Sequence, residues 1–260
     1  MSLAYDRLGS GPPLVLLHGV GHRRQAWRAV CGLLAQSREL FLIDLPGHGE
    51  SPALAADGRP VVTAMVESVL SLLDELGLDR PHVAGNSLGG RLALEAGVAG
   101  RASSVTALSP AGFFRGRADI SYARGVFKIM QATGKWLAPA APGLLQSTAA
   151  RAVAFSAIVA RPSRLTPEQA AADTAAFVLA RPTLQAVLAG LGNFTGHLPA
   201  GVPVTIGWGA KDRLLSRHQA LVAQRQLPDA RFVLLPGCGH VPMTDDPALV
   251  ASVLLGGSIV

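Results

Sequence analysis

The sequence predicts an α/β fold in which a mostly parallel central sheet is flanked by helices and interrupted by an inserted helical segment. Short apolar runs alternate with segments of helical spacing, and most of these runs end in turn-forming residues. The alternation stops between residues 112 and 200 and then resumes. With 260 residues, 49% of them hydrophobic and 15% charged, the chain can bury a core of this kind.

The first 111 residues alternate between strand-like and helix-like segments. Strands are indicated by short apolar runs bounded by Gly, Pro or Asp, and helices by apolar residues three or four positions apart. These criteria predict strands at 14–17, 39–43, 81–85 and 104–108, and helices at 26–35, 61–76 and 88–97. Because the connections are short, we expect parallel strands with helices on both faces.

Residues 112–200 differ from the rest of the chain. They are rich in Ala, Arg and Pro, with helical spacing and no convincing strand. The remaining residues predict strands at 203–207 and 231–235 and helices at 214–227 and 247–255. We therefore expect a core made of residues 1–111 and 201–260, with residues 112–200 as a helical cap.

Three residues with complementary chemistry follow predicted strands. Ser87 is the centre of Gly85-Asn-Ser-Leu-Gly89, where flanking glycines permit the sharp strand-to-helix turn that exposes a nucleophile. A serine needs a base, which His240 can supply, and Asp212 can hold the imidazole in the required tautomer. The chain order Ser, Asp, His and the position at strand ends predict a catalytic triad of Ser87, Asp212 and His240.

Two of these residues also have a purely structural interpretation. Asp212 could be the N-cap of the helix predicted at 214–227, where a single Asp is common. His240 could be a loop histidine without a catalytic role. The agreement of all three positions favours the triad.

The motifs resemble those of the α/β-hydrolase family over nearly the whole chain. The matching stretches are His18-Gly-Val-Gly21, Asp44-Leu-Pro-Gly-His-Gly-Glu-Ser51, Gly85-Asn-Ser-Leu-Gly-Gly90, Gly209-Ala-Lys-Asp212 and Gly237-Cys-Gly-His240. The resemblance implies the α/β-hydrolase fold, a serine hydrolase whose helical cap covers the site, and an oxyanion hole formed by the backbone N–H groups of Val20 and Leu88. It excludes dehalogenases and epoxide hydrolases of this fold, which carry Asp at the position of Ser87.

The resemblance favours a serine esterase that hydrolyses a carboxylic ester through an acyl-enzyme. The turn around Ser87 is also similar to that of carbon–carbon bond hydrolases acting on ring-fission (meta-cleavage) products, where Asn86 would contact the substrate. Val241 is a second candidate contact, although those enzymes often carry Trp after the catalytic His. An acyltransferase or perhydrolase and a ligand-binding protein without activity are further alternatives.

The positive charge is concentrated in the predicted cap. The chain carries a net charge of +6, and residues 112–200, with nine bases and three acids, account for all of it. Aromatic residues are only 5% of the chain and do not alternate with the bases, so we expect no nucleic-acid partner. The charge indicates either a solvated arginine face or an anionic or lipid-like acyl substrate, with Arg161, Arg164 and Arg181 as candidate contacts.

A third interpretation of the cap is a membrane dock. Trp136, Phe127, Phe155 and Phe177 could face lipid, although aromatic residues at helical spacing more often pack in a core.

The sequence predicts no cofactor and no metal site. No group of residues has metal-ligand spacing, and the two cysteines, Cys31 and Cys238, form neither a C-x-x-C pair nor a disulfide framework. The longest apolar stretch, 136–160, is interrupted by two prolines and an arginine, so we expect no integral membrane association. No signal-peptide pattern opens the sequence, and we expect a cytoplasmic enzyme. The oligomeric state, including a homodimer, stays open.

Overall fold

A computed structural model describes residues 2–54 and 58–259. The described residues form seven strands: β1 (Tyr5–Gly9), β2 (Pro13–Leu17), β3 (Glu39–Ile43), β4 (His82–Asn86), β5 (Ser104–Leu108), β6 (Val204–Gly209) and β7 (Arg231–Leu235). They make one sheet in the order β1-β3-β2-β4-β5-β6-β7. Only β1 is antiparallel to its neighbour; the other five pairs are parallel. The predicted α/β fold is thereby confirmed.

The central strands are covered on both faces. Every residue of β4 and β5 is buried, which is typical of parallel strands between two helical layers. On β2, Val15 and Leu17 point into one apolar cluster, whereas Leu14 and Leu16 point into the other. The two-residue period of a strand thus divides the core into two layers.

Helices of the core flank the sheet. They are α1 (Arg28–Leu34), α2 (Val61–Glu75) and α3 (Leu88–Val98) before the insertion. Side chains of α2 and α3 pack into the same cluster as Val15, and side chains of α1 pack into the cluster on the opposite face. The helices predicted at 61–76 and 88–97 agree with α2 and α3 to within one residue. The segment predicted at 26–35 is a 3₁₀ turn, Arg24–Trp27, followed by α1.

Between β5 and β6 the chain forms helices only, within the part that is described. These are α4 (Arg117–Leu137), α5 (Ala141–Leu144), α6 (Thr148–Phe155), α7 (Pro167–Leu179) and α8 (Arg181–Gly190). We call residues 112–200 the helical insertion. Within it α4 packs on α7, where the rings of Phe127 and Phe177 stack with centroids 6.3 Å apart.

The aromatic residues of the helical insertion divide between core and surface. Phe127 and Phe155 are buried, and Phe177 packs on Phe127, so these three side chains are not available to a lipid surface. Trp136 alone of the four candidates is exposed. In the described part of the chain, no helix has both the length and the apolar character needed to cross a bilayer.

The last part of the chain completes the fold with α9 (Arg217–Gln226), α10 (Pro242–Asp245) and α11 (Pro247–Gly257). Side chains of α11 pack in the same cluster as those of α1. The sequence places the start of α9 at residue 214, but the helix begins at Arg217 and its N-cap is Ser216. Leu214 and Leu215 are held in a turn instead, because both of their N–H groups donate to the Asp212 carboxylate.

Candidate active site

Ser87 lies in a tight turn between β4 and α3. Its backbone has φ 56° and ψ −114°, in the left-handed region that non-glycine residues rarely adopt. A Cβ at Gly85 would collide with the backbone of Gly89 and Gly90, and one at Gly89 with the backbone of Leu17 and His18, so this turn requires glycine on both sides. The strained residue is held by three backbone hydrogen bonds: its N–H donates to Leu108, and its carbonyl accepts from two amides.

The side chains of His240 and Asp212 form a buried pair. The distance from His240 Nδ1 to Asp212 Oδ2 is 2.8 Å. The other oxygen, Asp212 Oδ1, accepts the N–H groups of Leu214 at 2.9 Å and Leu215 at 2.8 Å. These contacts fix the carboxylate so that His240 donates from Nδ1, which leaves Nε2 as a proton acceptor.

The loop that carries His240 is tied to the turn that carries Ser87. The side-chain amide of Asn86 donates to the carbonyl of His240 at 2.8 Å and to the carbonyl of Leu108 at 3.1 Å. Ser87 Oγ itself makes no hydrogen bond to another residue that the structure describes. Catalytic hydrogen bonds often form only once substrate is bound.

Two backbone N–H groups are available beside Ser87. Leu88 is the first residue of α3, and its N–H therefore has no acceptor within the helix. The N–H of Val20 donates to no acceptor in residues 2–54 or 58–259. Both residues line the same cavity as Ser87. An oxyanion hole formed by these two N–H groups stays a prediction.

That cavity is small, with a volume of about 30 Å³, and is almost entirely apolar. Its walls come from the core and from the helical insertion, and they consist of Val20, Ser87, Leu88, Ala111, Phe114, Ile120, Ala123, Arg124, Phe127, Val187, Leu188, Leu191, Leu214 and Leu215. Arg124 is the one charged residue among these lining residues. The cavity therefore suits an apolar group attached to the carbonyl that Ser87 would attack.

The two tentative substrate contacts lie outside this cavity. Asn86 is buried, and its amide donates to two backbone carbonyls. Val241 is buried in the core, and its N–H donates to the carbonyl of Ile158 at 2.8 Å. A contact of either residue with substrate stays a prediction, and this arrangement does not favour it.

The three arginines that the sequence offers as anion contacts are also placed elsewhere. The side chains of Arg161 and Arg164 donate to the carbonyl of Asp245, at 3.3 and 2.5 Å. Arg181 is exposed at the start of α8. None of the three lines the cavity beside Ser87.

Asp245 is a residue of the site that sequence reasoning missed. It is fully buried, and its carboxylate accepts the N–H groups of Gly239 at 2.7 Å, Ala160 at 3.0 Å and Arg161 at 2.6 Å. It thus joins the loop of His240 to the helical insertion. The only sequence signal was an acidic residue in a largely apolar segment shortly after His240.

His48 is a second residue that the sequence did not single out. Its Nε2 accepts the N–H of Gly21 at 2.9 Å, and its Nδ1 lies 3.0 Å from the carbonyl of Pro46. Burial lowers the pKa of His48, which keeps the ring neutral and Nε2 able to accept. Because Gly21 follows Val20, this contact orients the loop that presents the Val20 N–H.

The cysteines have no nucleophilic character here. Burial raises the pKa of Cys31 and of Cys238 to about 11, so both are thiols at neutral pH. Within the described residues, no group of three or more His, Cys, Asp and Glu side chains could hold a metal ion.

The chain is similar to known proteins. The sequence profile described as "Alpha/beta hydrolase family" matches residues 14–253. The chain is 29% identical to a pimeloyl-(acyl-carrier protein) methyl ester esterase from Aeromonas hydrophila, over 95% of both chains. It is 31% identical to a dihydrolipoyllysine-residue acetyltransferase component of an acetoin cleaving system from Pseudomonas putida, over 89% of this chain and 59% of that protein.

Solved structures give the same result for the fold. A 2-hydroxy-6-oxo-6-phenylhexa-2,4-dienoate hydrolase from a Rhodococcus strain superposes with a TM-score of 0.72 and 21% identity, over 98% of each chain. At this identity the likeness concerns the fold alone.

Proposed function

Because the chain belongs to the alpha/beta hydrolase family, we propose that it hydrolyses a carboxylic ester with Ser87 as nucleophile, His240 as general base and Asp212 as the group that orients His240. The observation that carries this proposal is the shared cavity. Ser87, Val20 and Leu88 line one apolar space, and the buried pair of His240 and Asp212 is tied to the turn that carries Ser87.

The reaction follows from these positions. Ser87 Oγ attacks the ester carbonyl while His240 Nε2 takes the hydroxyl proton. The negative charge that develops on the carbonyl oxygen is stabilised by the N–H groups of Val20 and Leu88 and by the N-terminus of α3. His240 then gives its proton to the departing alcohol, which leaves an acyl group on Ser87.

Hydrolysis of the acyl-enzyme repeats these steps with water. His240 removes a proton from the water molecule as its oxygen attacks the acyl carbonyl, and the same proton returns to Ser87 Oγ when the carboxylic acid leaves. The helical insertion, whose α4 and α8 line the cavity, serves as a cap that keeps the acyl group away from bulk water.

Charge placement favours an ester over a ring-fission product. A dianionic substrate would need cationic groups beside Ser87, but the cavity is apolar, with Arg124 as its one charged lining residue. The Aeromonas relative is named as a methyl ester esterase, which supports the same reaction class. The Pseudomonas relative is named as an acetyltransferase component, so transfer of the acyl group to an acceptor other than water is the second candidate.

The proposal is tested with p-nitrophenyl esters of increasing acyl length and one ring-fission dienoate. We expect ester turnover with a chain-length optimum set by the apolar cavity, and loss of nearly all of it in Ser87→Ala. Ser71→Ala, an exposed serine on α2, is the matched control and should keep full activity. Circular dichroism of both variants checks that they fold.

Other results would reject parts of the proposal. Substantial turnover by Ser87→Ala would show that another residue is the nucleophile. Fast dienoate cleavage with weak ester turnover would identify a carbon–carbon bond hydrolase. Acyl products formed only with an added alcohol or amine would identify an acyltransferase. Tight ligand binding without turnover of any substrate would identify a binding protein.

A further inference from the structure

The outer side of α4 carries three large apolar residues that are mostly exposed, although the hydroxyl of Tyr122 donates to the carbonyl of Arg213 at 2.8 Å. Tyr122, Ile129 and Trp136 are 54%, 67% and 82% exposed. Their seven-residue spacing places them along one side of the helix, about 10 Å apart at a rise of roughly 1.5 Å per residue. The opposite side of α4 buries Ala123 and Phe127. We call these three residues the apolar stripe of α4.

A row of cations lies about a third of a turn around the helix from this stripe, at roughly 100° per residue. Arg117, Arg124, Lys128 and Lys135 are all exposed, and their spacing of seven, four and seven residues keeps them on one side of the helix. The acidic residue of α4, Asp119, is engaged elsewhere, since His218 Nε2 lies 2.7 Å from its carboxylate and the N–H of Arg115 donates to it. The outer surface of α4 is therefore both apolar and cationic.

The rest of the helical insertion reinforces this charge. Asp173 is buried and lies 3.7 Å from the guanidinium of Arg23 and 3.4 Å from that of Arg28, both of which belong to the core. Among the described residues, only Glu168 of the three acids in 112–200 makes no such contact with a side chain of the core. Of the nine bases of the insertion, Arg151 is buried. The exposed ones are weakly opposed by the acids of the insertion.

Exposed apolar side chains are concentrated in the same segment. Six of the eleven large hydrophobic residues that are exposed in the described part of the chain lie in the helical insertion, which is about a third of the sequence. They are Tyr122, Ile129, Trp136, Leu144, Val153 and Leu179. Single exposed apolar residues are normal, but a regular stripe with cations alongside indicates a surface that is covered in use.

We propose that the outer side of α4 docks the protein on an anionic lipid surface. The stripe and the cationic row match the two parts of such a surface, because Trp and Tyr settle at the level of the headgroups and Lys and Arg attract anionic lipids. The stripe is about 20 Å long at roughly 1.5 Å per residue, and it protrudes from the helix surface, so it can contact a planar lipid layer along its length. Docking is peripheral and does not depend on the ester chemistry at Ser87.

The docked helix is also a wall of the cavity beside Ser87. Ile120 and Arg124 of α4 line that cavity, and Arg124 belongs to the cationic row as well. A lipid surface on the outer side of α4 would therefore lie one helix away from the apolar space. Bound in this way, the protein would take apolar acyl substrates from the lipid layer.

The tryptophans make this proposal directly measurable. The chain has three, and Trp27 and Trp208 are buried in the core, whereas Trp136 lies in the stripe. With vesicles of mixed phosphatidylcholine and phosphatidylglycerol, we expect a blue shift of the emission and quenching by brominated acyl chains. Both effects should weaken with added salt and with pure phosphatidylcholine. Trp136→Phe removes the signal and assigns it to this residue.

Variants test the two parts of the surface separately. Lys128→Gln with Lys135→Gln should weaken sedimentation with the mixed vesicles ~30-fold, from about fivefold for each charge removed. Trp136→Ser should weaken it as well. Leu221→Ser, an exposed apolar residue on α9 outside the insertion, is the matched control and should bind as the parent protein does. None of these residues lines the cavity, so turnover of a water-soluble ester should be unchanged.

Three results would overturn the proposal. The first is a Trp136 that stays fully accessible to acrylamide in the presence of mixed vesicles. The second is equal binding to mixed and to pure phosphatidylcholine vesicles. The third is binding to an acidic polypeptide such as polyglutamate with the same strength and the same dependence on Trp136, which would assign the surface to an acidic protein partner.

Discussion

The two oxygens of Asp212 have different partners, and this decides what an isosteric substitution would do. Oδ1 accepts two backbone N–H groups, and Oδ2 lies 2.8 Å from His240 Nδ1. An asparagine at this position must keep its carbonyl oxygen toward the two N–H donors, because its amide group could only repel them. The amide would then face His240 and force Nδ1 to become an acceptor, so that Nε2 carries the proton.

We therefore predict that Asp212→Asn lowers kcat by about 10⁴, the size of effect seen where a triad histidine takes the wrong tautomer. The protein should keep its stability to within about 1 kcal/mol, since both backbone contacts survive. Asp246→Asn is the matched control, because Asp246 caps α11 through the N–H of Leu249 and Asn caps equally well. Single-turnover kinetics would measure the loss in the rate of the chemical step. Wild-type rates in Asp212→Asn would mean that another acid orients His240.

At the level of elements, the loop that carries His240 is held from two sides. On one side Asn86 of β4 donates to the His240 carbonyl. On the other side the carboxylate of Asp245, in α10, accepts the N–H of Gly239 and the N–H of Ala160, which belongs to the helical insertion. The position of the histidine thus depends on the helical insertion as well as on the sheet.

Asp245→Asn tests this connection. The carbonyl oxygen of asparagine can keep the N–H groups of Gly239 and Ala160, and the NH₂ group then faces the partly buried N–H of Arg161, which loses its acceptor. We expect a loss of about 1–3 kcal/mol in the free energy of unfolding. We also expect kcat to fall by roughly tenfold with little change in KM, because His240 rather than the apolar cavity is displaced.

The comparison variant for Asp245 is Asp229→Asn, an exposed loop residue, which should leave both quantities unchanged. Urea unfolding and steady-state kinetics measured on the same samples separate the two effects. If Asp245→Asn is less stable but has the kcat of the parent protein, Asp245 contributes to folding only and does not position His240.

Elements differed in how well the sequence predicted them. The strands β2 to β6 were predicted to within about two residues because burial on both faces demands continuous apolar runs, which are visible locally. The edge strand β7 is only partly buried, but its run Phe232–Leu235 is apolar as well. The edge strand β1 was not predicted. Its residues alternate between exposed and half-buried positions, and it pairs with only one neighbouring strand. Ser87, Asp212 and His240 could be proposed because each follows a strand within a local motif.

The remaining site residues owe their roles to contacts that no local pattern reveals. Asp245 reaches Ala160 across 85 positions, and His48 reaches Gly21 across 27. The composition shows that the arginines are concentrated in the helical insertion, but it does not show whether their side chains line the cavity. Contacts between residues so far apart in the sequence arise from the tertiary structure, and the local spacing of residue types does not predict them.

For the molecule as a whole, buried histidines link folding to pH. Burial lowers the pKa of His18, His22, His48 and His82 below that of a free histidine, so these rings stay neutral in the folded protein. In the unfolded chain they would bind protons near the ordinary pKa of ~6.5. The unfolded state therefore takes up more protons on acidification, and stability falls as the pH decreases through this range.

We predict that the free energy of unfolding is constant above a pH of about 7 and declines between about pH 6.5 and 5.5, before most carboxylates titrate. Each histidine contributes a slope of at most about 1.4 kcal/mol per pH unit. His48→Gln should lower this slope by one such contribution, and His197→Gln, at an exposed position, is the control variant. Urea unfolding at a series of pH values measures the slope directly. A stability that stays flat down to pH 5.5 would mean that these rings are already protonated in the folded protein or are reached by water.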